Sequence, residues 1–484
     1  MPKDAISDQG MTHVTYHDNA RDAVERAIEI EQANRKILHS VCVARKSTTR
    51  RKPSSFVSAY YPRFALKIRT AGVKIPNSST NGVVHNGNGV YKHTASRVAF
   101  RRQYLEDNLS LLLERYRGTK IAVGISNEPI PLEYEVPDFH EGEKLELGSF
   151  ARAGYTRAIA CVKERRTGNL LSPYEAPLFD YYWEALRHYT GTDPTNFQRG
   201  VILFNYKQYE KVIIELGKKL IRKRGSGYSK LVLPDGYAEG SEWQMPAIHL
   251  VGSDGRSGIS FINSGVGAPN AVTCTLAVCA VSRPDLISMF GHVGGTGVGQ
   301  AIGNVVIASG FSTYCGASRY LVPEAAQISP IGEVQRAMKQ ALRDVYGWKQ
   351  LDDHCQSGTL ASVDFRHWVV DPEWYSRVLA SMPAAIDMEG AEVARAAWAS
   401  KTPYGFLGFI SDIPAYDVPK LRGPARRFYE ETREKFIEVA IRTWDIIREE
   451  IRSGRGTTHS RKITPPYMPA GTTHHDCLIP HAFA

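Results

Sequence analysis

The sequence is poor in cysteine. Its seven cysteines, at 42, 161, 274, 279, 315, 355 and 477, are odd in number, scattered and without a CxxC pair. That pattern excludes a disulfide framework and fits reduced thiols in a cytoplasmic chain. Long apolar runs are missing too: no stretch reaches the roughly 18 apolar residues that cross a bilayer. The first 30 residues hold no apolar signal-peptide core, so neither secretion nor membrane insertion is expected. There is no Walker lysine motif, and no Ser/His/Asp or Cys/His nucleophile pattern can be assembled. These absences weigh against a P-loop NTPase and against covalent hydrolysis.

What remains is a chain of 484 residues, 43% hydrophobic and 23% charged, enough for two or three domains with real cores. The net charge of +10 favours anions, among them nucleotides, phosphorylated metabolites, nucleic acid and acidic lipids. The clearest basic run, "RKSTTRRK" (45–52), has no zinc spacing or aromatic RNA-binding signature beside it and reads as a solvated loop.

Texture divides the chain. Residues 18–45 and 100–116 have helical periodicity, and "NSSTNGVVHNGNG" (77–89) reads as a loop or hairpin tip. Proline-rich acidic sequence spans 128–147, and "TGNLLSPYEAP" (167–177) has the composition of a boundary. Residues 1–175 therefore read as a smaller α+β domain. From 176 to 463, short apolar runs at 200–206, 245–252, 257–265, 286–295, 303–311, 358–365, 384–390 and 404–412 alternate with helical segments. That alternation predicts an α/β domain with a mixed sheet flanked by helices. Residues 464–484 read as an extended tail.

In such folds the site lies at the carboxyl ends of strands, and there the polar residues fall. In "INSGVGAPNA" (262–271), Gly265 and Gly267 allow a tight turn and Pro269 suits the first turn of a helix; the reading is a structural turn or an anion-binding helix start. "GGTGVGQ" (294–300) imitates a dinucleotide loop, but an apolar strand follows it instead of a helix, and a Rossmann site is rejected. In "AIDMEG" (385–390), Glu389 opens a helix, where its dipole stabilises any carboxylate. With Met388 beside it, the same acid can accept sugar hydroxyls while the sulfur packs against a ring. In "FISDIP" (409–414), Asp412 is either an Asx turn or a partly desolvated acid that shares a proton with a leaving base. His292 in "GHVGG" reads first as a satisfied histidine, and "TTHHDC" (472–477) in the tail is not read as a metal site.

Together these strand ends resemble the nucleoside phosphorylase and nucleosidase superfamily and, more narrowly, the bacterial AMP nucleosidases. The motifs that carry the resemblance are "LRHYTGT" (186–192), "QMPAIHL" (244–250), "GVGAPNA" (265–271), "GHVGG" (291–295), "GEVQRA" (332–337), "AIDME" (385–389), "PYG" (403–405), "SDIP" (411–414), "RFYE" (427–430) and "HSRK" (459–462), in order. "GVYKHTASRVAFRRQYLEDNL" (89–109) is similar to that family's accessory amino-terminal domain.

The resemblance implies a nucleoside-phosphorylase-like fold and hydrolysis of AMP to adenine and ribose 5-phosphate in purine salvage. It implies Glu389 on the ribose hydroxyls, Met388 beneath the sugar and Asp412 at purine N7, with Asp387 bracing the turn. Gly265, Gly267, Gly294, Ser411, Asn205 and Tyr206 would line the substrate. Arg461, Lys462, Lys420 and Arg422 are the candidates for the 5′-phosphate, with Arg97 a weaker one. It also implies a homo-oligomer, commonly a hexamer, in which no metal or organic cofactor is required and Mg-ATP activates. Departures at Gly303-Asn304, "TGVGQ" (296–300) and "SDIPAYDVPKLRG" (411–423) leave the reaction class intact but bear on base preference and regulation; the alternatives are a nucleosidase or phosphorylase acting on IMP, GMP or another nucleotide. A non-catalytic nucleotide sensor is a further one.

Overall fold

The computed structural model describes residues 11–46, 59–67, 79–80, 83–84, 90–115, 118–130, 176–240, 242–297, 299–319, 321–322, 326–348, 351–365, 371–414 and 422–453. The chain forms two compact units, which part between Glu184 and Ala185. The boundary read from composition after residue 175 lies at the start of helix Ala176–Thr190, and the parting falls within that helix.

In the first unit, β1 (Met11–His17), β2 (Tyr60–Lys67), β5 (Val90–Thr94) and β6 (Ile121–Pro129) form an antiparallel sheet in the order β1-β6-β2-β5. The short β3 (Ser79–Thr80) and β4 (Val83–Val84) pair with each other as a hairpin. Helices α1 (Ala20–Lys46) and α2 (Arg102–Arg115) lay Ala23, Ala27, Leu105 and Leu109 against Phe64, Ile121 and Val123 of the sheet. Period 2 in the strands and period 3.6 in the helices bring those apolar faces together. The strands escaped the sequence reading because several of their residues, such as Arg63 and His93, are polar yet buried.

A buried ionic hub fastens this unit. Asp180, on α3 (Ala176–Thr190), is fully buried. It accepts the Ser96 hydroxyl, the Tyr61 hydroxyl at 2.6 Å, Arg97 Nε–H at 3.2 Å and Arg35 Nη2–H at 3.4 Å. Burial alone would raise its pKa; the Arg35 and Arg97 guanidiniums and the two hydroxyls outweigh that and lower it. Arg97 adopts φ 50° and lies 5.0 Å over the Trp183 ring, so its charge is committed to α3.

Among the described residues, the second unit is built on nine strands. β7 (Gly200–Phe204), β8 (Tyr228–Val232), β9 (Ala247–Gly252), β10 (Ile259–Asn263), β11 (Leu286–Gly295), β12 (Val305–Thr313), β13 (Cys355–Ser362), β14 (Ala385–Asp387) and β15 (Tyr404–Asp412) run in the order β14-β13-β12-β15-β11-β7-β10-β9-β8. The sheet is mixed: β11 is parallel to β7 and β15, whereas β12 is antiparallel to β15. β14 pairs with β11 as well as β13, so five strands close into a ring. Helices α4 (Gln208–Arg222), α6 (Gly332–Tyr346) and α9 (Arg422–Arg452) cover one face, with Tyr209, Met338, Phe436 and Trp444 in a core shared with Phe204, Phe290 and Phe409. On the other face the alanine-rich α5 (Ala268–Val281) and α8 (Gly390–Ala399) pack on each other. With helices on both faces, β7, β9 and β10 are buried at every position, which is why they read as continuous apolar runs. Edge strand β8 is partly exposed, and with α3 and α7 (Pro372–Ala380) it was not read from sequence. Cys274, Cys279, Cys315 and Cys355 are buried free thiols. No helix among the described residues is long and apolar enough to cross a membrane.

Replacing Asp180 by Asn removes the shared buried carboxylate and leaves Arg35 to Glu31 and Arg97 to Glu184. We expect a loss of about 1–3 kcal/mol from the first unit, seen as an earlier urea transition, while the second unit's transition stays in place.

Candidate functional site

The short strand β14 delivers "DME" to the end of the sheet. Gly294 of β11 stands opposite Ile386 of β14 on one side and Asp412 of β15 on the other. A Cβ on Gly294 would lie 3.6 Å from Asp412 Oδ2 and 3.5 Å from the Pro414 ring. The turn carrying Met388 and Glu389 and the carboxylate of Asp412 thus flank one glycine.

Glu389 is 1% exposed and occupies the N-cap position of α8, yet makes no capping bond to that helix. Its Oε1 accepts Gly267 N–H at 2.6 Å, and its Oε2 accepts Asn205 Nδ2–H at 3.1 Å. Gly267 has φ 116°, a conformation open in practice only to glycine, and starts α5. Capping falls to neighbours: Asp387 Oδ2 accepts Gly390 N–H at 2.6 Å, and Ser362 Oγ accepts Ala391 N–H at 2.8 Å while donating to Asp387 Oδ1. Asp387 braces the turn, and Glu389 is turned away from its own helix toward two other strand ends. Met388, between them, is half-buried.

Asp412 is half-buried, and Ser411 Oγ–H donates to its Oδ1 at 2.6 Å. Gly265, at φ 65°, donates its N–H to Asn263 Oδ1 at 3.1 Å. Tyr206, half-buried after β7, meets the Tyr209 ring at 5.5 Å and the His292 ring at 6.4 Å. His292 stacks on Phe436 and Tyr209, and its Nε2 is 2.8 Å from the Tyr209 hydroxyl, so it is a satisfied histidine at the edge of the core. In the glycine run at 294–300, Gln300 Oε1 accepts the N–H groups of Thr296 and Gly297 at 2.7 and 2.8 Å. Those amides are used internally, as the rejection of a dinucleotide loop requires.

The structure brings together Asn205, Gly267, Glu389 and Met388, and separately Gly294, Ser411 and Asp412, across the Gly294 register. Lys420, Arg461 and Lys462 lie outside the described residues; Arg422 begins α9, and its side chain lies outside them. Among the described residues no group of three or more His, Cys, Asp or Glu is placed to hold a metal. Sequence reasoning missed Asn263 and Ser362, both polar residues ending apolar strands before a turn, a signal that was present. It carried no weight because single Asn and Ser residues end many structural strands.

Burial pushes the Asp387 carboxyl up to about 6; the bonds from Ser362 and Gly390 oppose the shift, and nearby Glu392 adds to it. The folded chain therefore holds this proton more tightly than the unfolded one, whose carboxyl titrates near 3.9. The contribution of Asp387 to stability is full below about pH 4 and is lost as pH rises through about 6. In urea titrations between pH 4 and 7, Asp387→Asn should flatten that part of the stability curve; an unchanged curve would contradict the assignment.

Comparison with known proteins places the chain among enzymes. A family described as the bacterial AMP nucleoside phosphorylase N-terminus matches residues 22–153, and the phosphorylase superfamily matches residues 249–447. The chain is 33% identical over 420 residues to AMP nucleosidase from Escherichia coli, which spans 78% of this chain and 83% of that protein. Among solved structures it is similar to AMP nucleosidase from Bacteroides thetaiotaomicron, with TM-score 0.43 and 22% identity over 56% of this chain and 98% of that one. It is also similar to purine nucleoside phosphorylase from Toxoplasma gondii, with TM-score 0.41 and 14% identity over 54% of this chain and 95% of that one.

Proposed function

The chain belongs to the AMP nucleosidase family, and we propose that it hydrolyses the N-glycosidic bond of AMP to adenine and ribose 5-phosphate. The observation that carries the chemistry is the Gly294 register, which sets the Met388-Glu389 turn and Asp412 on opposite sides of one backbone position.

Cleavage of a glycosidic bond passes through a state in which the sugar carries positive charge and the departing base negative charge. Glu389 meets the first need. Gly267 and Asn205 hold its two oxygens in place, and each carboxylate oxygen can accept more than one bond, so the same group takes the ribose 2′- and 3′-hydroxyls. Its negative charge, deep in the protein, stabilises the cationic sugar more strongly than the neutral ground state. Met388 packs beneath the ring. Asp412, oriented by the Ser411 hydroxyl, gives a proton to purine N7 as the base leaves; water adds to the anomeric carbon from the opposite face and releases a proton to solvent, from which Asp412 is reprotonated.

For the 5′-phosphate this reading retains Lys420, Arg422, Arg461 and Lys462, cations able to close over a phosphate by charge-assisted bonds. Acid, carboxylate and water suffice for the bond exchange, so turnover needs no metal or organic cofactor, and Mg-ATP acts as an activator. The working form in this reading is a cytoplasmic homohexamer serving purine salvage.

Chromatography of free bases released from AMP, adenosine, IMP, GMP and CMP tests the substrate. Adenine from AMP alone is the expected result; another base moves the assignment, and a requirement for inorganic phosphate would make the enzyme a phosphorylase. Loss of a general acid typically costs about 10²–10⁴ in rate, so Asp412→Asn should lower kcat by that factor with KM changing far less. Glu389→Gln should lower kcat/KM, and EDTA should leave the rate without activator unchanged.

A further inference from the structure

Glu210 lies in the first turn of α4, is 2% exposed, and has no part in the chemistry above. Its Oε1 accepts Asn263 Nδ2–H at 2.8 Å, and its Oε2 accepts the Tyr237 hydroxyl at 3.1 Å. Asn263, 8% exposed at the end of β10, turns its Oδ1 to Gly265 N–H at 3.1 Å. Two residues further on, Gly267 N–H meets Glu389 Oε1 at 2.6 Å. One run of contacts thus leads from Tyr237 through Glu210 and Asn263 into the glycine turn, and from the turn to the buried carboxylate.

The chemistry of each link sets a direction. A side-chain amide presents an oxygen at one end and a nitrogen at the other, and either can face a given neighbour. Both Glu210 oxygens accept hydrogen bonds, so Glu210 draws the nitrogen of Asn263 toward itself and leaves the oxygen for Gly265. With that amide reversed, two N–H groups would face each other at the turn. Gly265 and Gly267, at φ 65° and 116°, have little intrinsic preference for these values, so the turn takes its shape from its partners.

We propose that Glu210 is a positioning residue: by fixing the orientation of Asn263 it sets the glycine turn 265–267, whose amide holds Glu389 in place for the sugar. The kinetic part rests on the AMP-cleaving reading; the structural part does not. Glu210 touches no reacting atom in this account and transfers no proton. It acts because a displacement of about 1 Å in a group aligned for reaction costs up to about 10²-fold.

The test uses the full chain as wild type, Glu210→Gln, Asn263→Ala, their double variant and Tyr237→Phe. It reads amide hydrogen exchange over residues 263–268 in the free protein and kcat/KM for AMP across pH. The Glu210→Gln change is nearly isosteric, but the neutral amide no longer dictates which way Asn263 points. We expect exchange in the turn to rise by about tenfold or more in both single variants. The kcat/KM should fall by about 10–100-fold in each, with the acid limb of the pH profile kept. The double variant should be no worse than the worse single one, as for two residues acting through one contact. Tyr237→Phe, which leaves the Glu210–Asn263 bond in place, should change kcat/KM by less than about threefold.

Unchanged exchange in Glu210→Gln, multiplying losses in the double variant, or a loss in Tyr237→Phe as large as in Glu210→Gln would each overturn the proposal. Disappearance of the acid limb in Glu210→Gln would overturn it differently, by making Glu210 a proton-transfer group. If wild-type protein releases no adenine from AMP, the functional reading fails while the exchange experiment still decides this one.

Discussion

The second unit depends on one pairing, that of Gly294 and Gly295 at the end of β11 with Ile386 and Ala385 of β14. Without it, the strands from β14 to β8 would form an open sheet with β14 at an edge. With it, β14 is paired on both sides, five strands close on themselves, and the turn after Asp387 is carried round to the strand end that also borders Asp412. Closure leaves little room there: a Cβ on Gly295 would stand 2.7 Å from the Gln300 carboxamide oxygen. Position 295 therefore favours a residue without a side chain, whereas a Cβ at 294 would meet its neighbours at ordinary contact distance.

Closing the ring buries acids, and each buried acid is given donors. Asp387 has Ser362 and Gly390, Glu389 has Gly267 and Asn205, and Glu392 has the Thr313 hydroxyl and Ser318 N–H. A carboxylate without such donors would neutralise by taking up a proton. Most of these donors are backbone amides or small neutral side chains, not cations. In the first unit the opposite choice is made: Asp180 is answered by two guanidiniums, and Glu31 on Arg35 supplies a second negative charge to this brace between α1, α3 and the segment after β5.

The glycine turn at 265–267 shows why a site can be legible and its support illegible. Turn residues and a following Pro mark a helix start in any sequence, and "IDMEG" marks a strand that ends in an acid. Nothing in the spacing said that Glu389 would leave its own helix uncapped and meet Gly267 instead, or that Asp387 and Ser362 would take over the capping. Those partners come from strands far apart in the chain, and only the register of β10, β7, β11 and β14 makes them neighbours.

The sequence by itself determined the layered α/β plan of the second unit, because strands buried on both faces must be apolar throughout and the helices between them must show one apolar stripe. It also marked the strand ends at 205, 265–267, 294, 388–389 and 411–412, because a polar residue or glycine that interrupts an apolar run is visible in one dimension. Tertiary structure alone decided that β14 closes the ring, that His292 is held in an aromatic stack, and that the Thr296 and Gly297 amides are taken by Gln300. It alone decided the first unit's sheet, whose polar residues such as Arg63 are buried through partners like Glu128 and Thr94 on other strands. The division has one physical reason: local pattern records which residues avoid water, whereas pairing depends on which distant donors and acceptors the closed sheet brings within about 3 Å of one another.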